Sequence, residues 1–125
     1  MTMVLWLVLI AAMLPVMCAG LAKYGSKEFD NHNPREWMTR LEGWRARANA
    51  AQSNTFEALP FFFIAVALAV YTNAPLEKLH MLMIAWLLAR LAYVWFYIRD
   101  KSTLRSIVWT LGVGLSIAIL FAGRT

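Results

Sequence analysis

The chain has 125 residues, 61% hydrophobic and 15% charged, with a formal net charge of +5. An average soluble domain is roughly 45–50% apolar and about 25% charged, and a chain this short buries the smallest fraction of its surface, so the excess apolar surface needs lipid or partner subunits. The positive charge does not indicate nucleic acid, because the basic residues gather between apolar blocks, as the positive-inside rule produces them.

The first block, Met3 to Ala22, carries no charge. It has the length of about 20 residues that spans a bilayer core. A cleaved signal peptide would want a basic start and a shorter apolar core. No Lys or Arg precedes Lys23, so the block is expected to be a retained helix, with Pro15 as a tolerable kink. Cys18 is the only cysteine, which leaves no disulfide framework within one chain. It is expected to be a small buried apolar side chain.

A polar stretch follows, and its second half carries a helix start. Asn33 is placed to cap, Pro34 suits the first helical position, and Glu36 completes a capping-box pattern. Trp37, Leu41 and Trp44 then recur at helical spacing, as interfacial aromatics do. The pattern predicts one helix from residue 34 to 71, bent at Pro60. The segment "TNAP" reads as a tight connection. A third apolar helix is expected over 76–98, the short turn "RDKS" comes next, and a fourth helix is expected over 102–123.

The fold class expected is therefore an all-α integral membrane domain, a four-transmembrane-helix bundle over residues 1–125, with its first helix over 3–22. Orientation follows from Lys and Arg. The connection after the first helix holds Lys23, Lys27, Arg35, Arg40, Arg45 and Arg47, and the one after the third holds Arg99, Lys101 and Arg105. The connection after the second holds only Lys78, and the C-terminus only Arg124. Both basic connections are expected in the cytoplasm and both termini on the other side. Short loops and no targeting extension fit a bacterial inner membrane.

Polar residues at membrane depth mark the candidate site. Arg47, Asn54 and Glu57 fall on one face of the second helix. At ~1.5 Å per residue, Glu57 lies about 15 Å beyond Arg47, and Arg90 about 13 Å before Arg99. Glu57 and Arg90 thus sit at similar depth on consecutive antiparallel helices. An unpaired charge there costs at least ~2.5–3.5 kcal/mol, so the two are expected to face each other or to share a wet cavity. Tyr93 and Tyr97 follow Arg90 on the same face. The result is a polar cleft: Glu57 and Arg90 its floor, Asn54, Tyr93 and Tyr97 its walls, and Arg47, Arg99, Lys101 and Arg105 a rim that attracts anions. His32 and His80 read as loop and interfacial residues, and no metal-ligand spacing, phosphate loop or Ser-His-Asp order is present.

Two patterns carry a resemblance. "RARANAAQSNTFEALPFF" has an Arg-rich entry, then Asn-x-x-Glu, then Pro; "ARLAYVWFYIRDKSTLRS" has Arg-x-x-Tyr-x-x-x-Tyr and a later Arg. In this order, on these helices, they resemble the MAPEG superfamily, the membrane-associated proteins of eicosanoid and glutathione metabolism. The resemblance covers nearly the whole chain. It implies a homotrimer that binds glutathione as co-substrate in a cleft between adjacent subunits, open to the cytoplasm. It assigns Asn54, Glu57, Tyr93 and Tyr97 to glutathione contacts and pairs Arg90 with Glu57. Arg105 is implied to stabilise the thiolate, with Tyr97 as a secondary donor. The electrophile would be a lipophilic small molecule arriving from the bilayer. Where mammalian members carry Arg, four residues before the Asn, stands Ala50. Either Arg47, one turn earlier, replaces it or a carboxylate contact is missing. The basic residue that ends the first helix is Lys23 or Lys27. Two other functions compete with a glutathione transferase or peroxidase: a small proton-coupled multidrug exporter, which Arg90 at the depth of Glu57 disfavours, and a non-catalytic accessory membrane protein.

Overall fold

The computed structural model describes residues 1–123 and is helical throughout its ordered elements: α1 (Thr2–Lys23), α2 (Pro34–Thr39), α3 (Gly43–Tyr71), α4 (Leu76–Ile98) and α5 (Ser102–Leu120). Four of these, all but α2, are long and apolar enough to cross a membrane. Their apolar residues point outward as well as inward. Leu5, Trp6, Ile64, Leu88 and Ile107 are exposed, as in helices whose surroundings are lipid. Arg124, counted above with the C-terminus, lies outside the described residues.

α3 is the hub. It packs against α1 on one side and α4 and α5 on the other, while α4 and α5 form a second close pair. The α1 seam is Val4, Leu7, Ala11, Leu14 and Cys18, buried at alternating spacings of three and four. It meets a face of α3 rich in alanine: Ala48, Ala51, Ala65 and Ala69 are all fully buried. Association in lipid gains from van der Waals packing rather than from expelled water, so small residues that let two backbones approach are favoured there. Across the α3–α4 contact, Phe62 stacks on Trp86 with centroids 3.9 Å apart and planes 18° from parallel.

The single helix expected over 34–71 is two helices. Glu42 is extended and Gly43 has φ +63°, so the chain turns between α2 and α3. That left-handed backbone suits glycine, which has no Cβ to clash. The expected capping box does not form either. Pro34 opens α2 beside Asn33, but Asn33 makes no side-chain cap bond, and Glu36 pairs with Arg40 on the exposed surface instead. The last helix also stops short of the expected residue 123, ending at Leu120. Asn73 and Asp100, both with φ 59°, make the two tight turns beside α4. Asn and Asp tolerate that region better than other side chains do.

Two arginines at the start of α3 hold the basic end of the bundle together. Arg45 Nη1 donates to the Ala22 carbonyl at 2.8 Å, in the last turn of α1. Arg47 Nε donates to the Ile98 carbonyl at 3.0 Å, at the end of α4. The final carbonyls of a helix have no intrahelical partner and carry the negative end of its dipole, so a guanidinium is a favourable cap. One short segment of α3 thereby fixes the ends of two neighbours at one level.

Replacing Arg47 by Ala is expected to destabilise the fold by about 1.5–3 kcal/mol, the range for hydrogen bonds to charged groups. Arg40→Ala removes only an exposed surface pair and is expected to leave melting unchanged. Thermal unfolding of the two variants in detergent compares them directly.

Candidate functional site

Arg90 is 3% exposed, a cation in the middle of an apolar helix. Its burial demands partners, and α3 supplies them. Arg90 Nη2 donates to Asn54 Oδ1 and to Thr55 Oγ1, each at 3.0 Å. The Thr55 hydroxyl gives its own proton to the Ala51 carbonyl at 2.7 Å, which leaves its lone pairs for the guanidinium. The guanidinium also lies over the Tyr93 ring, 4.2 Å from its centroid. Its Nε is buried without a partner among the described residues.

Glu57 does not pair with Arg90, contrary to the direct contact that the resemblance implies. The only ion pair among the described residues is Arg40 with Glu36. Asn54 and Thr55 take the Nη2 donor of Arg90 from just before Glu57 on α3, and Glu57 stays exposed on the surface of the single chain. Glu57 and Arg90 nonetheless line one cavity.

Nearer the basic end, the Tyr93 and Tyr97 rings meet edge to face at 5.6 Å. Arg105, in the first turn of α5, lies over the Tyr97 ring at 4.3 Å. With Asn54, Ser106 and Trp109 these residues line a recess of about 280 Å³. Asn54 and Trp109 also border the cavity of about 230 Å³ that holds Glu57 and Arg90 and extends deeper between α3, α4 and α5. The two spaces therefore share a wall. The upper one presents two phenols, an amide, a hydroxyl and a guanidinium, a set able to hold a polar, anionic molecule and stabilise negative charge. The described residues contain no group of three or more His, Cys, Asp or Glu able to hold a metal ion.

The other rim residues go elsewhere. Arg47 lines neither space, because it is occupied at the end of α4. Arg99 lies over Trp95 on the exposed side, at 5.5 Å, and Lys101 is exposed beyond α4. Lys23 borders a third recess with Arg35, Asn49 and Gln52, between α1, α2 and α3. Gln52 is about 200° round α3 from Asn54, so that recess opens on the other side of the helix. Lys27 is exposed and does not border it.

Sequence reasoning missed Thr55, Trp86, Trp109, Gly112 and Ser116. Trp109, Gly112 and Ser116 do repeat at three and four along α5, a signal for one shared face. Thr55 gave none, since a Thr beside Asn54 is as readily a packing residue.

The family model of the MAPEG family matches residues 3–124 of the sequence. No curated protein and no solved structure matches the chain.

Because Thr55, not Glu57, answers Arg90, Thr55→Val is expected to cost about 1–3 kcal/mol through a buried donor left short of an acceptor. Thr55→Ser restores the hydroxyl and should recover most of the loss, while Glu57→Gln should melt like the parent. A melting temperature that falls for Glu57→Gln but not for Thr55→Val would reverse the assignment.

Proposed function

The chain belongs to the MAPEG family, which includes glutathione transferases and related enzymes, and from that premise we propose that it activates the thiol of glutathione, or of a related thiol, toward lipophilic electrophiles or hydroperoxides. The observation that carries this is the recess in which Arg105 lies over Tyr97 beside Tyr93, Asn54 and Ser106. A free thiol has a pKa of about 8.5, and a neighbouring guanidinium lowers it, which raises the thiolate fraction near neutral pH. Arg105 is the cation of that recess and is half-buried, so its field is less screened than that of a surface arginine. The Tyr97 hydroxyl serves as a second donor to the sulfur. Glu57, with no partner among the described residues, accepts hydrogen bonds from the ammonium group of the tripeptide. No covalent enzyme intermediate is required.

The assembly proposed is a homotrimer. Glu57 is exposed at membrane depth, where a bare carboxylate is costly, and Lys23 and Arg35 border a separate recess between α1, α2 and α3. Two separate faces of the chain, one acidic and one basic, suit a head-to-tail ring, in which each copy covers the Glu57 face of the next. The basic end of the bundle is placed in the cytoplasm by the positive-inside rule, with the termini opposite, in a bacterial inner membrane. The family match and the presence of Arg90 in the Glu57 cavity both weigh against a proton-coupled exporter, whose carboxylate must release and regain a proton.

Calorimetry of glutathione against the detergent-solubilised protein, with ultraviolet thiolate absorbance followed in parallel, tests the reading. Binding with a thiolate signal at neutral pH supports it. Binding without thiolate points to a carrier, and no binding at millimolar glutathione points to an accessory protein. Arg105→Ala is expected to keep binding and melting but to lower turnover about a hundredfold at neutral pH, the scale for losing one electrostatic stabiliser. Its activity should recover as pH rises toward the free thiol's pKa of about 8.5, because solvent then ionises the sulfur. A loss equal at every pH would remove Arg105 from thiol activation.

A further inference from the structure

The last carbonyls of a helix need donors from outside its own ladder. At the end of α4 the turn that follows supplies most of them from its own backbone. Arg99 N–H donates to the Trp95 carbonyl at 3.0 Å, Lys101 N–H to Phe96 at 2.8 Å and Asp100 N–H to Tyr97 at 3.1 Å. The last two bonds make a Schellman closure, which needs the left-handed φ of 59° found at Asp100. None of these N–H groups reaches the Ile98 carbonyl. Arg47 serves it from α3, Nε to oxygen at 3.0 Å.

This turn carries both groups of the thiol-activating pair. Tyr97 is in the last turn of α4, one residue before the carbonyl that Arg47 holds. Arg105 is in the first turn of α5, and its N–H donates to the Lys101 carbonyl at 2.9 Å. Only Arg99, Asp100 and Lys101 separate the two helices. The buried residues of α5 are Gly112, Ser116 and Ile119, all in its second half. Packing therefore fixes the far half of α5, and the turn fixes the half that holds Arg105. The angle at which the turn launches α5 thus sets where the Arg105 guanidinium falls on the Tyr97 ring, 4.3 Å from its centroid. Arg47 itself borders neither the recess nor the cavity.

We propose that Arg47 is a positioning residue for thiol activation: through the Ile98 carbonyl it holds the α4–α5 turn, and so the placement of Arg105 over Tyr97. The proposal rests on the thiol-activating function above and gives Arg47 no contact with glutathione, although Arg47 stands one turn from the arginine that is missing at Ala50. The two roles differ physically. An arginine that binds a carboxylate of the tripeptide acts through its charge. An arginine that orders a turn acts through one N–H, and a neutral N–H in the same place can replace it.

Glutamine provides that N–H. Its Nε2 stands the same number of bonds from the backbone as the arginine Nε, and it is uncharged. Methionine has comparable length with neither donor nor charge. The first measurement needs no turnover: hydrogen exchange of the full-length protein in detergent, read by mass spectrometry. In Arg47→Met the amides from Asp100 to Arg105 are expected to exchange about tenfold faster than in the parent, and in Arg47→Gln to stay close to it. Arg45→Met removes the matching bond to Ala22 at the end of α1 and is expected to leave these amides protected. Equal exchange in the parent and Arg47→Met overturns the proposal. So does an Arg45→Met that loosens the same segment, because either arginine would then act only through overall stability.

The second measurement is glutathione conjugation of 1-chloro-2,4-dinitrobenzene. Arg47→Met is expected to lower kcat about tenfold or more at neutral pH, with KM for glutathione unchanged. The loss should shrink as pH rises toward about 8.5, where solvent ionises the thiol, and Arg47→Gln should recover kcat. In an Arg105→Ala background, Arg47→Met should cost nothing further, since the group that it positions is gone. A raised KM that Arg47→Gln does not rescue makes Arg47 a glutathione contact and overturns the proposal. An equal loss of kcat at every pH, or additive losses in the double variant, makes its role purely structural and overturns it too. If the parent activates no thiol, the function above fails, and the exchange from Asp100 to Arg105 still decides whether Arg47 holds the turn.

Discussion

A guanidinium held out of water in the middle of a membrane helix bundle is the constraint on which the rest of the site depends. Arg90 is 3% exposed and carries five N–H donors, so the fold must bring acceptors to it. α3 does so with two adjacent side chains, the Asn54 amide and the Thr55 hydroxyl. Those contacts bind α4 to α3 at one level. They also draw Arg90 away from Glu57, and an acid spared from an internal ion pair is an acid available to a ligand or a neighbour. Neutral acceptors here do what a carboxylate would have done with a larger desolvation cost.

A division of space follows from this arrangement. Arg90 and Asn54 stand where a polar recess and a largely apolar cavity meet, with Trp109 across from them on α5. Above that point the lining is phenol, hydroxyl and guanidinium; below it, the Glu57 carboxylate and Ser116 hydroxyl are set among indole, phenyl and aliphatic carbon. A molecule that is polar at one end and oily at the other fits such a gradient without turning. α5 has fewer buried positions than the other spanning helices, namely Gly112, Ser116 and Ile119. It acts as one wall of the cavity more than as a member of the core.

The basic residues show how easily charge is misassigned from position alone. Six of them precede Ala48 in the chain and all lie toward one end of the bundle. Arg45 and Arg47 close the ends of α1 and α4, Arg40 pairs with Glu36, Lys23 lies over Phe29, and Arg105 alone of the expected rim enters the recess with the tyrosines. Helix C-termini compete with ligands for cations because both present unsatisfied oxygen acceptors, and a terminus that is always present wins the nearest arginine.

The chain by itself determined the membrane class, the four spanning helices and their approximate ends. Those follow from the length and purity of apolar runs, which the bilayer thickness sets without reference to partners. It also determined the relative depths of Asn54, Arg90, Tyr93, Tyr97 and Arg105, since depth along a helix is a count of residues. It did not determine where α2 stops, because the Gly43 backbone angle depends on the turn into α3 as much as on glycine's freedom. Only the tertiary structure decided which neighbour each polar group meets. Rotation of a helix about its axis, and so the choice of Thr55 over Glu57 for Arg90, is set by how small residues let α1, α3 and α4 approach. The cavity between α3, α4 and α5 was likewise beyond the sequence, because a void is a property of several helices at once and of no residue alone.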